Sequence, residues 1–259
     1  MKIEKITKSG SKYKLILDTG EIITTYDSVI LDYGLLYHKR LDQTLLNKIQ
    51  NDTEYYEKYN KVVKMINTRL KSIYEIKKYL TKENVSKEYE EKIINNLIKV
   101  GLLDDERFAQ AYTNDKIHLT SDGPAKIKNN LQKHHIKNEY IENAINNIDP
   151  KIIDSHINKI IEKKIKSNIK NTNVILKQKI TAYLINQGYE IEDINRNLEK
   201  HTFKENDLTS EMNKIYNKLI KKNPQNFSQK LKAKLYSKGF TIEEINNYIN
   251  KKSSVKWTF

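Results

Sequence analysis

Bulky apolar residues recur along the chain as Ile or Leu, three residues, Leu, four residues, and a further bulky apolar position. The pattern appears four times, as Ile76/Leu80/Val85, Ile127/Leu131/Ile136, Ile180/Leu184/Tyr189 and Leu231/Leu235/Phe240. The starts lie 51, 53 and 51 residues apart, and an apolar residue stands 18 further on in each copy: Ile94, Ile145, Leu198 and Ile249. Spacings of three and four mark one face of a helix, and their return at a near-constant period marks an internal repeat of helical units. Eight residues after each start stand Asn84, His135, Gly188 and Gly239, the residue types that best tolerate left-handed backbone, so a helix terminus is predicted at the same point in every unit. Upstream of copies two to four, Phe108/Tyr112, Ile161/Ile165 and Met212/Tyr216 supply a further helix, giving three short helices per unit.

The polar positions punctuate this pattern. Gly101-Leu102-Leu103-Asp104-Asp105-Glu106 ends one helix at a glycine and opens the next with three acids, where the positive end of the helix dipole favours them. Ser72 with Glu75 has the spacing of a capping box, and Ser121-Asp122-Gly123-Pro124 places proline at the first position of a helix. Pro150 and Pro224 fall between units. Residues 2 to 26 read differently: short, partly alternating runs broken by Ser9-Gly10-Ser11 and Asp18-Thr19-Gly20 predict three antiparallel strands too small to stand alone, which must pack on the helices that follow. From Leu41 the period becomes helical, in two runs, Leu41 to Ile49 and Val62 to Ile66. The expected organisation is a β element at 1–40, leading helices at 41–68, units at 69–103, 104–150, 151–203 and 204–252, and a tail at 253–259 whose Trp257 and Phe259 either pack or stay loose. The fold class is mainly α, with tandem three-helix repeats in an elongated array and a small N-terminal antiparallel β element.

Composition narrows the function classes. The absence of cysteine excludes disulfides and thiolate metal sites, and no apolar run approaches the ~20 residues that cross a bilayer. Without a signal-peptide segment at Met1-Lys2-Ile3, a cytoplasmic, membrane-free monomer is the expectation. The six histidines show no metal-ligand spacing, and the glycines stand singly, with no phosphate-cradling loop, so no cofactor and no catalytic residue are expected. Asp104 and Asp105 belong to helix initiation and not to catalysis. The net charge of +14 asks for an acidic partner, and half of it lies in residues 201–259, with 12 basic and 5 acidic side chains.

Lysines flank the buried starts: Lys126, Lys179 and Lys230 one residue before, and Lys77, Lys128 and Lys232 one residue after. If the units stack regularly, these flanks line up as basic stripes suited to a phosphate backbone or a filament, with Arg69, Lys71, Lys234 and Lys238 as further candidates for DNA or filament binding. Lysines beside a buried stripe also lay their stems over the core whatever the function, so each single lysine admits both readings.

The segments Gly101-Leu102-Leu103-Asp104-Asp105-Glu106-Arg107-Phe108-Ala109, Arg69-Leu70-Lys71-Ser72 ahead of Glu75-Ile76, and Gly123-Pro124-Ala125-Lys126-Ile127 resemble the RecX regulatory proteins of bacteria, in the longer, Gram-positive form. The resemblance spans about residues 60 to 250. It implies tandem three-helix repeats that bind RecA filaments on single-stranded DNA and restrain recombinase, ATPase and coprotease activity in DNA repair, recombination and the SOS response. The charge distribution separately predicts weak, non-specific DNA binding by the protein alone. Where the family has glycine after the first central helix, this chain has Lys82-Glu83-Asn84, and the second unit has His134-His135. Charge and helical triplets alone would equally suit an independent single-strand binder or a tandem helix-turn-helix regulator.

Overall fold

A computed structural model describes residues 1–168, 170–203, 208–222 and 225–255. Pro224, Trp257 and Phe259, for which the sequence carried expectations, lie outside the described residues. The chain divides into two compact units, 1–111 with 132–141, and 112–131 with 142–259.

In the first unit, β1 (Ile3–Ser9), β2 (Lys12–Leu17) and β3 (Ile22–Thr25) form an antiparallel sheet in that order, with Leu15 paired to Ile6 on one side and Ile23 on the other. Alternation along β2 turns Leu15 and Leu17 inward, and both are buried with Ile3 and Ile23. The chain then departs from the expected all-β element. Residues Asp27–Asp32 form a short helix, α1, whose Val29 and Ile30 enter the same core.

The two expected leading runs are one 26-residue helix, α2 (Gln43–Thr68), whose first turn is capped by Asp42 accepting from the Leu45 N–H at 2.7 Å. The gap in aliphatic residues is bridged by Tyr55, Tyr56 and Tyr59, with Tyr55 buried and packed on the other two rings. Polar anchors hold this stretch: Tyr33 donates to Asp52 at 2.6 Å, Tyr56 donates to Asp32 at 2.9 Å, and the Thr25 and Thr53 hydroxyls meet at 2.6 Å. The helix serves two cores. Leu46 and Ile49 complete the core of the β element, while Val62 and Ile66 pack with α3 (Ile73–Lys82), α4 (Lys87–Lys99) and Leu103. The first three-helix group therefore takes its leading helix from the end of α2.

The remaining helices follow in threes: α5 (Asp105–Leu119), α6 (Pro124–Lys133) and α7 (Asn138–Asn146); α8 (Pro150–Lys166), α9 (Asn173–Gln187) and α10 (Ile191–Glu199); α11 (Thr209–Ile220), α12 (Phe227–Tyr236) and α13 (Ile242–Val255). The pattern residues Ile76, Leu80, Ile127, Leu131, Ile180, Leu184 and Leu235 are fully buried, and Leu231 nearly so. Each removes enough apolar surface to stabilise by about 1.5–3 kcal/mol. Two groups in the second unit have their own cores, one joining Ile157 and Ile161 to Leu176, Ile180 and Leu184, the other joining Met212 to Leu231, Leu235 and Phe240. The four expected left-handed positions are all left-handed: Asn84 at φ 54, His135 at 55, Gly188 at 89 and Gly239 at 80.

Candidate nucleic-acid interface

The flanking lysines stand where central helices start, so their surroundings depend on how those starts are fixed. The same contact fixes three of them: the first turn of one central helix meets the left-handed residue that ends the next. At the start of α3, Ser72 and Glu75 form the full capping box, Tyr74 packs on the His135 ring at 4.1 Å, and Asp105 accepts the Ile73 N–H at 2.9 Å. At the start of α6, the Gly123 N–H donates to the Gln187 carbonyl at 2.7 Å and the Ala125 N–H to the Gly188 carbonyl at 3.0 Å. Here orphan donors of one helix start satisfy orphan carbonyls of another helix end. At the start of α9, Thr172 accepts from the Ile175 N–H and donates its hydroxyl to the Lys238 carbonyl at 3.1 Å.

These contacts engage several candidates. Arg69 grips Glu75 through both oxygens, at 2.6 and 3.3 Å, and Lys71 lies 3.9 Å from the same carboxylate. Burial pushes the Glu75 carboxyl up, but Arg69 and the Ser72 N–H outweigh it and hold the group below the ordinary carboxylate range. Lys126 pairs with Asp122 at 2.7 Å and donates to the Gln187 side chain at 2.9 Å, where a cation complements the end of α9. Lys128 pairs with Glu142 on α7, and Lys179 donates to Asn171 at 2.6 Å. Each of these five side chains has a local partner that a phosphate would have to displace or share.

Lys77, Lys230, Lys232, Lys234 and Lys238 are exposed, and none makes an ion pair among the described residues. Four of them belong to the last group, where α12 buries only Leu231 and Leu235 and presents Lys230, Lys232 and Lys234 around the rest of its circumference. On neighbouring α11, the Glu211 carboxyl is held low chiefly by its hydrogen bond from Lys214, and Lys170 and Lys238 add to the same pull. The acids of this region are thus outnumbered. Among the described residues no group of three or more His, Cys, Asp or Glu side chains could hold a metal ion, and no helix is long and apolar enough to cross a membrane.

Two features escaped sequence reasoning. Asp104 caps α5, accepting from the Glu106 and Arg107 N–H groups at 2.9 and 3.0 Å. Its neighbour Asp105, expected merely to complement the same helix, instead reaches across to cap α3. The β element also gathers lysines of its own, Lys8 and Lys12, opposite Lys61 and Lys64 of α2. No spacing signals either arrangement, because the partners come from segments far apart in the chain.

The family description "RecX, second three-helix domain" matches residues 104–145, the segment running from the Asp104 cap through α7. Whole-chain relatives agree. A "Regulatory protein RecX" of Halalkalibacterium halodurans is 25% identical over 260 residues, covering 96% of this chain and 98% of that one. Another, of Bacillus cereus, is 26% identical and covers 97% of both chains. The chain is similar to RecX regulatory proteins over almost its whole length. Solved structures of the family share its fold: one described as "regulatory protein RecX" superposes with a TM-score of 0.66 at 21% identity, over 76% of this chain and 98% of that one. RecX from Lactobacillus salivarius gives 0.53 at 23% identity, over 56% of this chain and 95% of that one. The relatives are named as regulatory proteins, and the conspicuous residues at this chain's helix starts and ends serve capping and docking.

Proposed function

We propose that the protein binds RecA filaments on single-stranded DNA and restrains their activity, acting by binding and not by catalysis. The observation that carries this reading is the open cationic surface of α12, Lys230, Lys232 and Lys234 with Lys238 behind them, in a chain related to RecX regulators along almost its whole length. Units that repeat along a chain suit a partner that repeats along a filament, and attachment spread over several units gains strength by multivalency. DNA binding by the protein alone is then weak, indifferent to sequence and steeply salt-dependent. The candidates with partners of their own contribute less than the α12 lysines.

The test is a RecA pull-down with and without single-stranded DNA, together with inhibition of RecA's DNA-dependent ATPase across a salt series, for the native chain and for Lys230→Ala/Lys232→Ala/Lys234→Ala. Retention on RecA that needs the filament, and weaker, less salt-sensitive inhibition by the variant, are expected, with helix content unchanged by circular dichroism. Removing one lysine that neutralises a single-strand phosphate lowers the slope by about 0.7. A chain that ignores RecA and prefers a duplex sequence would be the helix-turn-helix regulator instead. Unchanged inhibition by a folded variant would show that the α12 lysines are solvated faces.

A further inference from the structure

The β element lies outside the repeats, and the reading above assigns it no part. Its hairpin tip and the middle of α2 enclose a cleft of about 550 Å³, entirely within the first unit. That volume is within the ~300–1,000 Å³ typical of ligand sites. The two walls carry matching charge: Lys8 and Lys12 from the hairpin, Lys61 and Lys64 from α2. Register explains the first pair. The two-residue turn at Gly10-Ser11 sets Lys8 opposite Tyr13 and Ser9 opposite Lys12, so both lysines stand at the tip. Helical spacing explains the second, since Lys61 and Lys64 are three apart on α2.

Two acids line the same cleft, Asp27 and Glu57. Glu57 is shared, 3.2 Å from Lys61 and 3.7 Å from Lys12, so one carboxylate sits between two ammonium groups while Lys8 and Lys64 make no ion pair among the described residues. The lining also offers Tyr13, half-buried with the Lys8 ammonium 5.9 Å from its ring centre, and the Asn60 amide.

We infer that this cleft is a second nucleic-acid site, in which a phosphodiester backbone passes between the two lysine walls. Two facing walls suit a chain of anions that continues beyond the cleft, whereas a single compact anion would engage only some of the four lysines. Tyr13 offers an aromatic side chain against which a base can pack, a contact tolerant of sequence because every base has a π face. Lys8 and Lys64 meet the phosphates directly, and Lys12 and Lys61 exchange part of their hold on Glu57 for the incoming charge. This site does not depend on RecA or on α12.

The experiment uses the full chain with a fluorescent oligothymidylate substituted with a photoreactive 5-iodouracil. Binding is followed by anisotropy across a salt series, crosslinks are mapped by peptide mass, and hydrogen exchange is compared with and without the oligonucleotide. Crosslinking at Tyr13 and slowed exchange in the hairpin and around residues 57–64 are expected. Lys8→Ala/Lys64→Ala should abolish both and make the salt slope shallower by about 1.4, two single-strand phosphate contacts, while its far-ultraviolet circular dichroism stays native. The α12 triple variant should keep the Tyr13 crosslink. Overturning results are the absence of hairpin crosslinking and protection in the native chain, an unchanged slope in the folded double variant, or equal displacement of the oligonucleotide from the hairpin by poly-glutamate at matched charge, which would make the cleft a seat for acidic peptides. A negative RecA pull-down leaves these outcomes unaltered, so the two readings fail separately.

Discussion

The junction at His135 and the junction at Gly188 answer one geometric demand in different ways. Both residues are left-handed, both end a central helix, and both receive the first turn of the preceding central helix. At Gly188 the approach is backbone on backbone: a Cβ added to Gly123 would lie 2.6 Å from the Gly188 carbonyl carbon and oxygen, and one added to Gly188 would run into the Lys126 backbone nitrogen. At His135 the imidazole itself is the contact, packed against Tyr74, and the donor that a close backbone would have satisfied is satisfied by Asp105. A left-handed helix end thus needs glycine where another segment must come within a Cβ's reach, as the backbone does at Gly188. Where it need not, a side chain with tolerance for positive φ can fill the gap and supply packing.

Gly188→Ala should break this comparison most severely. The new methyl group meets both an unfavourable φ of 89 and the Lys126 backbone, which cannot move without losing the Ala125 N–H to Gly188 carbonyl bond. Left-handed strain and overpacking together should cost about 3 kcal/mol. His135→Ala, at a φ of 55 with only ring packing to lose, should cost about 1 kcal/mol. Urea unfolding of both variants checks the difference, and equal costs would mean that the close approach at Gly188 contributes nothing.

The Asp105 substitutions should have a smaller effect, separated by pH. Burial pushes the Asp105 carboxyl above the ordinary range, with help from Asp104, while the Ile73 N–H pulls it down. A folded pKa above the unfolded one means that the native state takes up the proton first as pH falls. The carboxylate's burial cost is therefore present above the folded pKa and is relieved as pH falls through it. Asp105→Asn keeps an acceptor for Ile73 without the charge, so its stability relative to the native chain should be greater at neutral pH than in acid. Asp105→Ala leaves the Ile73 N–H without its acceptor and should cost about 1 kcal/mol. Chemical denaturation at neutral pH and in mild acid distinguishes the three proteins; a pH-independent difference between Asn and Asp would show that the carboxylate is not desolvated.

What could be read from the sequence follows from range. The buried stripe, the capping box at Ser72 and the left-handed ends at Asn84, His135, Gly188 and Gly239 are local, set by residues within a few turns, and periodicity exposes them. The continuity of α2 was hidden because its middle is apolar through tyrosines, which read as polar when only aliphatic positions are aligned. The bond from Ile73 to Asp105 spans 32 residues, and Lys126 meets Gln187 across 61, so spacing gave these side chains the appearance of flanks when their partners lay elsewhere. For the same reason the lysines most open to a ligand could not be told from those already paired.

The smallest effect gives the sharpest distinction, because the sign differs between two like substitutions. Asn84 and His135 have nearly equal φ, 54 and 55, and each pays for left-handed backbone that glycine would adopt freely. Asn84 is exposed. Asn84→Gly should therefore relieve strain against a modest gain in unfolded-chain entropy, for a net stabilisation of about 0.3–0.5 kcal/mol. His135→Gly gains the same relief but loses the ring that packs on Tyr74, and should destabilise by about 0.5–1 kcal/mol. In a chain built from repeating units the changes stay local, so hydrogen exchange within α3 and α6 is the measurement to use alongside global unfolding. Faster exchange at the start of α3 in His135→Gly, with no such change in Asn84→Gly, is the expected outcome. Stabilisation by both would show that His135 serves only to end its helix, and that Asp105 alone fixes the start of α3.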